Sequence, residues 1–382
     1  MRRVPVAWLQ LTHEKRRFAA AVAGVTFAVA LMLMQLGLRA VLYRAATRIP
    51  EHLAGDLVMI SPRYEYLYAL TSFSERRLYS ALAVRGVTSV APIHLEMGLW
   101  RHPSTRQAHR IFVIGVPTGT NVFDLPDLRR RLPALRVPDT VLFDAGSRPE
   151  FGPVADLLAH GPELVTELND RAVRVAGLFD LGATFGAGGH VVTSDVTFGR
   201  LFRRPVGMID IGVISLARGS DAGAVQRALR AVLPNDVAVM TRSEFAAQEA
   251  AYWSRRAAIG FIFDLGAAMG LLVGAVIVYQ ILYTDVTDHL DEYATLKAIG
   301  YHDRYLYSIV LQESLVLSAL GLIPGFAIAE TLYLMFRHQA HVPVEMTTAR
   351  VAFVIALTIA MCVGAGMMAM RRLRDADPAE IF

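Results

Sequence analysis

Four stretches of this chain are apolar for long enough to cross a bilayer: residues 18–38, 257–283, 306–335 and 351–370. A hydrocarbon core of roughly 30 Å takes about 20 apolar residues as helix, so each stretch predicts a membrane span. The third holds LIPGF, residues 322–326, and its Pro-Gly pair predicts a break there. The first follows HEKRRF, residues 13–18. Its apolar run exceeds that of a secretory signal and no clean small-x-small cleavage site follows, so a retained anchor is expected.

Between the first and second stretches the period changes. Residues 56–61, 110–116, 172–179, 190–194 and 210–216 are β-branched runs bounded by Gly, Pro or Asp and predict strands. Residues 74–83 and 220–233 open on a serine and repeat apolar positions at helical spacing. The expected fold class is an α-helical integral membrane protein with four transmembrane helices and a large α+β periplasmic domain inserted between the first and second. That domain, residues 39–256, is long enough for its own core. Its ends keep helical periodicity. Residues 38–53 continue the first span, and a capping box of Thr241 and Glu244 opens a helix with no Gly or Pro before Gly260. Both spans are therefore expected to extend outward as helical stalks.

Composition supports a split between lipid and water. The chain is 54% hydrophobic and 19% charged over 382 residues, with a mean hydropathy of +0.40. The net charge of +4 has no basic-aromatic stripe to go with it, so no nucleic-acid partner is expected. Arg2, Arg3, Lys15, Arg16 and Arg17 precede the first span, and Arg371, Arg372 and Arg374 follow the fourth. Basic residues favour the cytoplasm, so both termini are assigned there. Arg39, Arg44, Arg48, Arg255 and Arg256 flank the opposite side but border a long domain, where the rule weakens. Residues 1–17 and 371–382 are then cytoplasmic tails, 284–305 a cytoplasmic loop and 336–350 a short periplasmic loop.

That cytoplasmic loop carries the one segment with the look of a soluble helix. Asp288 is placed to cap it, and Asp291 and Glu292 sit in its first turn, where they complement the helix dipole. Asp288, Asp291, Glu292 and Thr295 gather on one side. Leu290, Tyr293, Ala294 and Leu296 gather on the other, with His289 and Lys297 interrupting. Ala298 and Ile299 lead to Gly300, a suitable stop. Too short to span and acidic on one side, the segment fits a protein partner in the cytoplasm better than an anionic leaflet; the competing reading is a solvated loop helix.

In the second span Gly266, Gly270 and Gly274 recur every fourth residue and let another helix approach closely, as a dimer face or as packing within the chain. Asp264, Gln35 and Glu313 are intramembrane polar groups read as structural. There is no G-x-x-x-x-G-K-[ST] phosphate loop, and GATFGAGGH, residues 182–190, lacks the lysine and reads as a flexible loop or hairpin. His338-x-x-His341 has no completing ligand set and reads as a polar turn. The single Cys362 allows no internal disulfide. No catalytic, metal or cofactor site is expected.

LYTDVTDHLDEYATLKAIGYHDRYLYSIVLQES, residues 282–314, resembles the DevC-type ABC transporter permeases of the MacB/FtsX superfamily. Gln312-Glu313, Pro324-Gly325, the terminal DPAEIF and the one-plus-three arrangement of spans extend the resemblance. The resemblance implies a permease of the bacterial inner membrane that pairs with a second copy. Its coupling helix, about 288–300, docks on a separate ABC ATPase subunit. The periplasmic domain meets a membrane-fusion adaptor leading to a TolC-type outer-membrane channel, and the cargo is a lipid, glycolipid or other hydrophobic molecule. The alternatives are an FtsX-like signalling module that activates a cell-wall hydrolase, and a plain membrane receptor without an ATPase.

Overall fold

The computed structural model describes residues 14–69, 71–161, 163–256, 258–339 and 344–375. The terminal DPAEIF motif and His341 lie outside these residues, as do Arg2 and Arg3. The chain divides into two compact units, one of residues 1–41 with 258–382 and one of residues 42–257.

The first unit is built on four helices long and apolar enough to cross a membrane: α1 (Lys15–Glu51, which runs on into the second unit), α8 (Ile259–Asp288), α10 (Asp303–Gln339) and α11 (Thr348–Asp375). Their shared core includes Val25 and Val29 of α1, Leu282 of α8, Leu317 of α10 and Cys362 of α11. Phe261, Leu265, Leu272 and Val276 of α8 face outward and form an apolar surface suited to lipid. The expected break at LIPGF is not there: α10 runs helical through Pro324. Glycine explains the tolerance. A methyl group built on Gly321 would stand 2.4 Å from Cγ1 of Val25, and one on Gly325 2.8 Å from Cβ of Val29. Packing against α1 thus holds the segment helical although Pro324 supplies no N–H.

The second unit orders, among the described residues, a nine-stranded sheet as β11-β1-β10-β3-β4-β8-β5-β7-β6. Its members are β1 (Leu57–Ile60), β3 (Val87–Arg101), β4 (Ala108–Val116), β5 (Thr140–Asp144), β6 (Leu164–Leu168), β7 (Arg171–Phe179), β8 (His190–Ser194), β10 (Ile211–Leu216) and β11 (Ala238–Thr241), with a separate pair β2 (Phe73–Ser74) and β9 (Met208–Ile209). The 15-residue β3 joins two halves. Residues 87–93 pair with β10, and residues 94–101 pair with β4. Beyond β3 the sheet curls until Trp100 pairs with Leu168 of β6, closing a small barrel-like half. Alternation sorts the core. Ile111 and Val113 of β4 face a cluster with Trp100, Phe143 and Phe151, while Phe112 and Ile114 face one with Ile93 and Val213.

Two expectations for this unit change. The helix expected from Ser220 is α6 (Ala222–Val232), capped by Asp221, whose carboxylate accepts from the Gly223 N–H at 2.9 Å. Asp presents an acceptor as readily as Ser. The outward stalk before the second span is not one helix. α7 (Arg242–Ala251) begins with the capping box, in which Glu244 N donates to Thr241 Oγ1 at 3.1 Å and Thr241 N to Glu244 Oε2 at 2.8 Å. It then turns into a π-helix over Tyr252–Arg256, and Ala258 takes a left-handed φ of 54° before α8. Left-handed backbone at a residue with a Cβ terminates a helix as surely as Gly or Pro. The other stalk, α1, is a single helix of 37 residues.

Candidate functional site

The segment 288–300 divides at His289. Asp288 is the last residue of α8, not a cap of the next helix, and His289 forms the corner. α9 (Leu290–Ala298) starts there, and Tyr293 N donates to His289 O at 3.0 Å. Asp288 accepts instead from the Arg17 guanidinium at the start of α1. α9 ends in a Schellman turn. Gly300 has φ +105°, and Tyr301 N donates back to Leu296 O at 3.0 Å.

The two sides of α9 have different neighbours. Tyr293, 1% exposed, is packed with Val286, Leu306, Ile309, Val310 and Met370, and Leu296 packs against the same cluster. Tyr293, read as part of the apolar side, anchors the helix in its own chain. Burying an aromatic of this size stabilises by roughly 2–3 kcal/mol, enough to hold nine residues that would not stay helical alone. Glu292 and Thr295 are exposed, and Ile299 is 71% exposed. An isoleucine that open just before a helix stop is the apolar point of the outer surface. The side chains of Asp291, Ala294, Lys297 and Ala298 are outside the described part of the structure.

Gly266, Gly270 and Gly274 all face α1 of the same chain. Methyl groups there would stand 2.5 Å from Nε2 of Gln35, 3.2 Å from Cδ2 of Leu31 and 2.6 Å from Cβ of Ala28. Of the two readings of this ridge, intrachain packing is the one observed, because α1 already occupies the close approach the glycines permit. At the far end of the same helix pair the Arg39 guanidinium bonds the Asp264 carboxylate, so Asp264 has a cation beside it. Glu313 is fully buried next to Ser314, and neither carboxylate oxygen has a hydrogen-bond partner among the described residues.

GATFGAGGH is a packed loop, not a flexible one. Asp144 Oδ1 accepts from Gly146, Leu181 and Gly182 N–H, each at 3.0 Å. Its Oδ2 meets His190 Nδ1 at 3.1 Å, His190 Nε2 meets Thr184 Oγ1 at 3.0 Å, and Thr184 bonds the Tyr68 hydroxyl. Burial by itself would raise the Asp144 carboxyl. The His190 bond and the N–H groups of Gly182 and Leu181 outweigh it and hold the group below the usual carboxylate range. The Asp-His-Thr order has the look of a hydrolytic triad, but His190 and Asp144 are buried, and Thr184 is 4% exposed. The network fixes a loop. Gly186 is required there because a methyl group would stand 2.3 Å from the Tyr68 ring. His338 lies at the end of α10, and no group of three His, Cys, Asp or Glu able to hold a metal occurs among the described residues.

The first unit thus combines four lipid-length helices with a short helix anchored at the bundle end where Arg17 meets Asp288. Residues 265–378 match the family described as FtsX-like permease C-terminal. That region, under a third of the chain, is similar to FtsX-like permeases. The match does not reach the DevC subtype. A search of curated proteins finds no match. Among solved structures, the chain is similar to the periplasmic region of MacB from Actinobacillus actinomycetemcomitans, at 10% identity over 51% of this chain and 92% of that one, with a TM-score of 0.36. It is also similar to the extracellular domain of the noncanonic ABC-type transporter YknZ from Gram-positive bacteria, at 14% identity over 48% and 98%, with a TM-score of 0.33. At those scores neither likeness bears on function.

Proposed function

We propose that the chain is the permease subunit of an ABC exporter of the DevC type. A separate ATPase grips the outer surface of α9, and the resulting movement passes through the spans to the α/β domain, which lies outside the cytoplasm between the first and second spans. Two copies assemble in the inner membrane with both termini cytoplasmic. The domain engages a membrane-fusion adaptor and, through it, a TolC-type channel. The cargo is a lipid, glycolipid or other hydrophobic molecule.

One observation carries this reading. α9 is fixed to its own chain through Tyr293 and Leu296, while Glu292, Thr295 and Ile299 stand exposed beyond the ends of α8 and α1. A helix rigidly seated on one side and open on the other passes an applied force to the spans without dissipating it in local rearrangement. Arg16 and Arg17 at that end support its assignment to the cytoplasm.

The test is reconstitution in lipid with the ATPase purified from the same cells. Glu292→Arg with Ile299→Asp is expected to leave membrane insertion intact and to abolish stimulation of ATP hydrolysis. Wild-type stimulation by this variant defeats the assignment. Co-purification of a cell-wall hydrolase in place of an adaptor favours the signalling role.

A further inference from the structure

We propose that Glu249 is a proton-controlled catch: its neutral form holds the last turn of α7 against the 61–69 segment, and loss of the proton to solvent releases it. The helix that leads toward the second span then loosens as the surrounding pH rises. The inference concerns the α/β unit alone and does not depend on the transport reading.

Glu249 is 0% exposed although it carries an ionisable group. Its Oε1 accepts from the Tyr64 hydroxyl at 2.5 Å, and Oε2 has no hydrogen-bond partner among the described residues. Gln248, its neighbour, donates to Tyr64 O at 3.4 Å, and Tyr64 lies against Phe245 with ring centroids 5.4 Å apart. α7 is therefore fastened to the 61–69 segment over one turn, with the carboxyl at the centre. No cation faces it. The titratable groups acting on it from the packed segment are the phenols of Tyr64 and Tyr68, and burial raises both above the ordinary tyrosine value, so both stay neutral through the physiological range. On its own helix, Glu244 is bound to Thr241 and is held low by that bond, so it remains ionised throughout.

A carboxylate buried with one neutral donor is costly, whereas the acid is far less so. Burial pushes Glu249 up to about 7, outweighing the Tyr64 bond, which favours the charged form. The sign follows. The folded value lies above the unfolded one, so the catch is strongest below the ordinary glutamate value and weakens as pH rises through about 7. Beyond Glu249 the π-helix of Tyr252–Arg256 replaces regular α-helical bonds, and Tyr252 stacked on Tyr66 at 4.2 Å is the next tie to the 61–69 segment, so the carboxyl loosens one of two adjacent ties.

The test is hydrogen–deuterium exchange of the full chain in lipid nanodiscs, following peptides over 242–256. Rates are corrected for intrinsic exchange, and wild type is divided by Glu249→Gln at each pH. The expected ratio is near 1 at about pH 5.5 and rises roughly 10-fold or more by about pH 8.5, within the ceiling that the displaced proton affinity allows. Tyr64→Phe, which keeps the carboxyl but removes a donor to its charged form, is expected to move the midpoint upward. A flat ratio overturns the proposal. Should Glu249→Gln fail to fold, a wild-type midpoint at the ordinary glutamate value, or a Tyr64→Phe midpoint that does not rise, overturns it equally.

Discussion

The Arg17 guanidinium bonds the Asp288 carboxylate across 271 positions of sequence. The pair fastens the start of α1 to the end of α8, and Arg39 with Asp264 does the same at the opposite end. Two antiparallel helices are thus tied at both ends, with the glycine ridge between the ties. Arg17 and Asp288 are both 46% exposed, so the tie contributes little to stability. Its effect is positional, since Asp288 is the last residue before the corner from which α9 departs.

Exchange of the two charges tests that role. Arg17→Asp or Asp288→Arg alone puts like charges together and is expected to lower ATPase stimulation several-fold with little change in melting temperature. The double exchange is expected to restore it. Singles that behave as wild type show that the tie does not orient α9.

Seat and surface of α9 separate by mutation. Tyr293→Ala removes a buried ring and is expected to destabilise the bundle end by about 3 kcal/mol, seen as protease cleavage within 289–300. Thr295→Arg, on the exposed side, is expected to leave cleavage unchanged and to weaken ATPase binding. Equal protease sensitivity in the two variants contradicts the described packing.

The glycine ridge separates packing within the chain from packing between chains. A methyl group on Gly274 would also stand 2.8 Å from Sδ of Met361, so a leucine there pushes on two helices at once. Gly274→Leu is expected to cost about 2 kcal/mol. It should lower the melting temperature in detergent while oligomeric mass by light scattering stays the same. Loss of a dimer with unchanged melting would make the ridge an intermolecular surface.

Acid acts on the α/β unit through Asp144. Its folded value lies below the ordinary aspartate value of 3.8, so its contribution is present above that value and is lost as pH falls through the folded one. Wild type is expected to lose the near-ultraviolet signal of the packed Trp100–Phe143 pair below about pH 4. Asp144→Asn is expected to cost about 2 kcal/mol at neutral pH by leaving its donors poorly matched. An unchanged acid transition in that variant removes Asp144 as its source.

The spans and five of the strands were legible because their periods are strong and unbroken. β3 was not, although it is the longest strand. Pro92 and the mixture of His94, Glu96 and Gly98 read as loop, yet Pro92 sits opposite Gly212, where no bulk opposes it. The end of α9 was legible from Gly300, whereas its start was not: Asp288, read as the cap, closes α8 instead. Which side faced inward was not. Helical spacing assigns residues to faces, but Tyr293 finds its pocket among Leu306, Ile309 and Met370, which lie on other helices. The ends of α7 and α8 were misjudged for a related reason. Ala258 adopts a backbone that its residue type does not advertise.

That left-handed alanine makes the two routes between the units unlike. α1 continues for 37 residues, roughly 55 Å, without a break. The other route crosses a π turn and an αL residue within seven positions. The first segment is a stiff rod, whereas the second contains a joint at which a helix can bend.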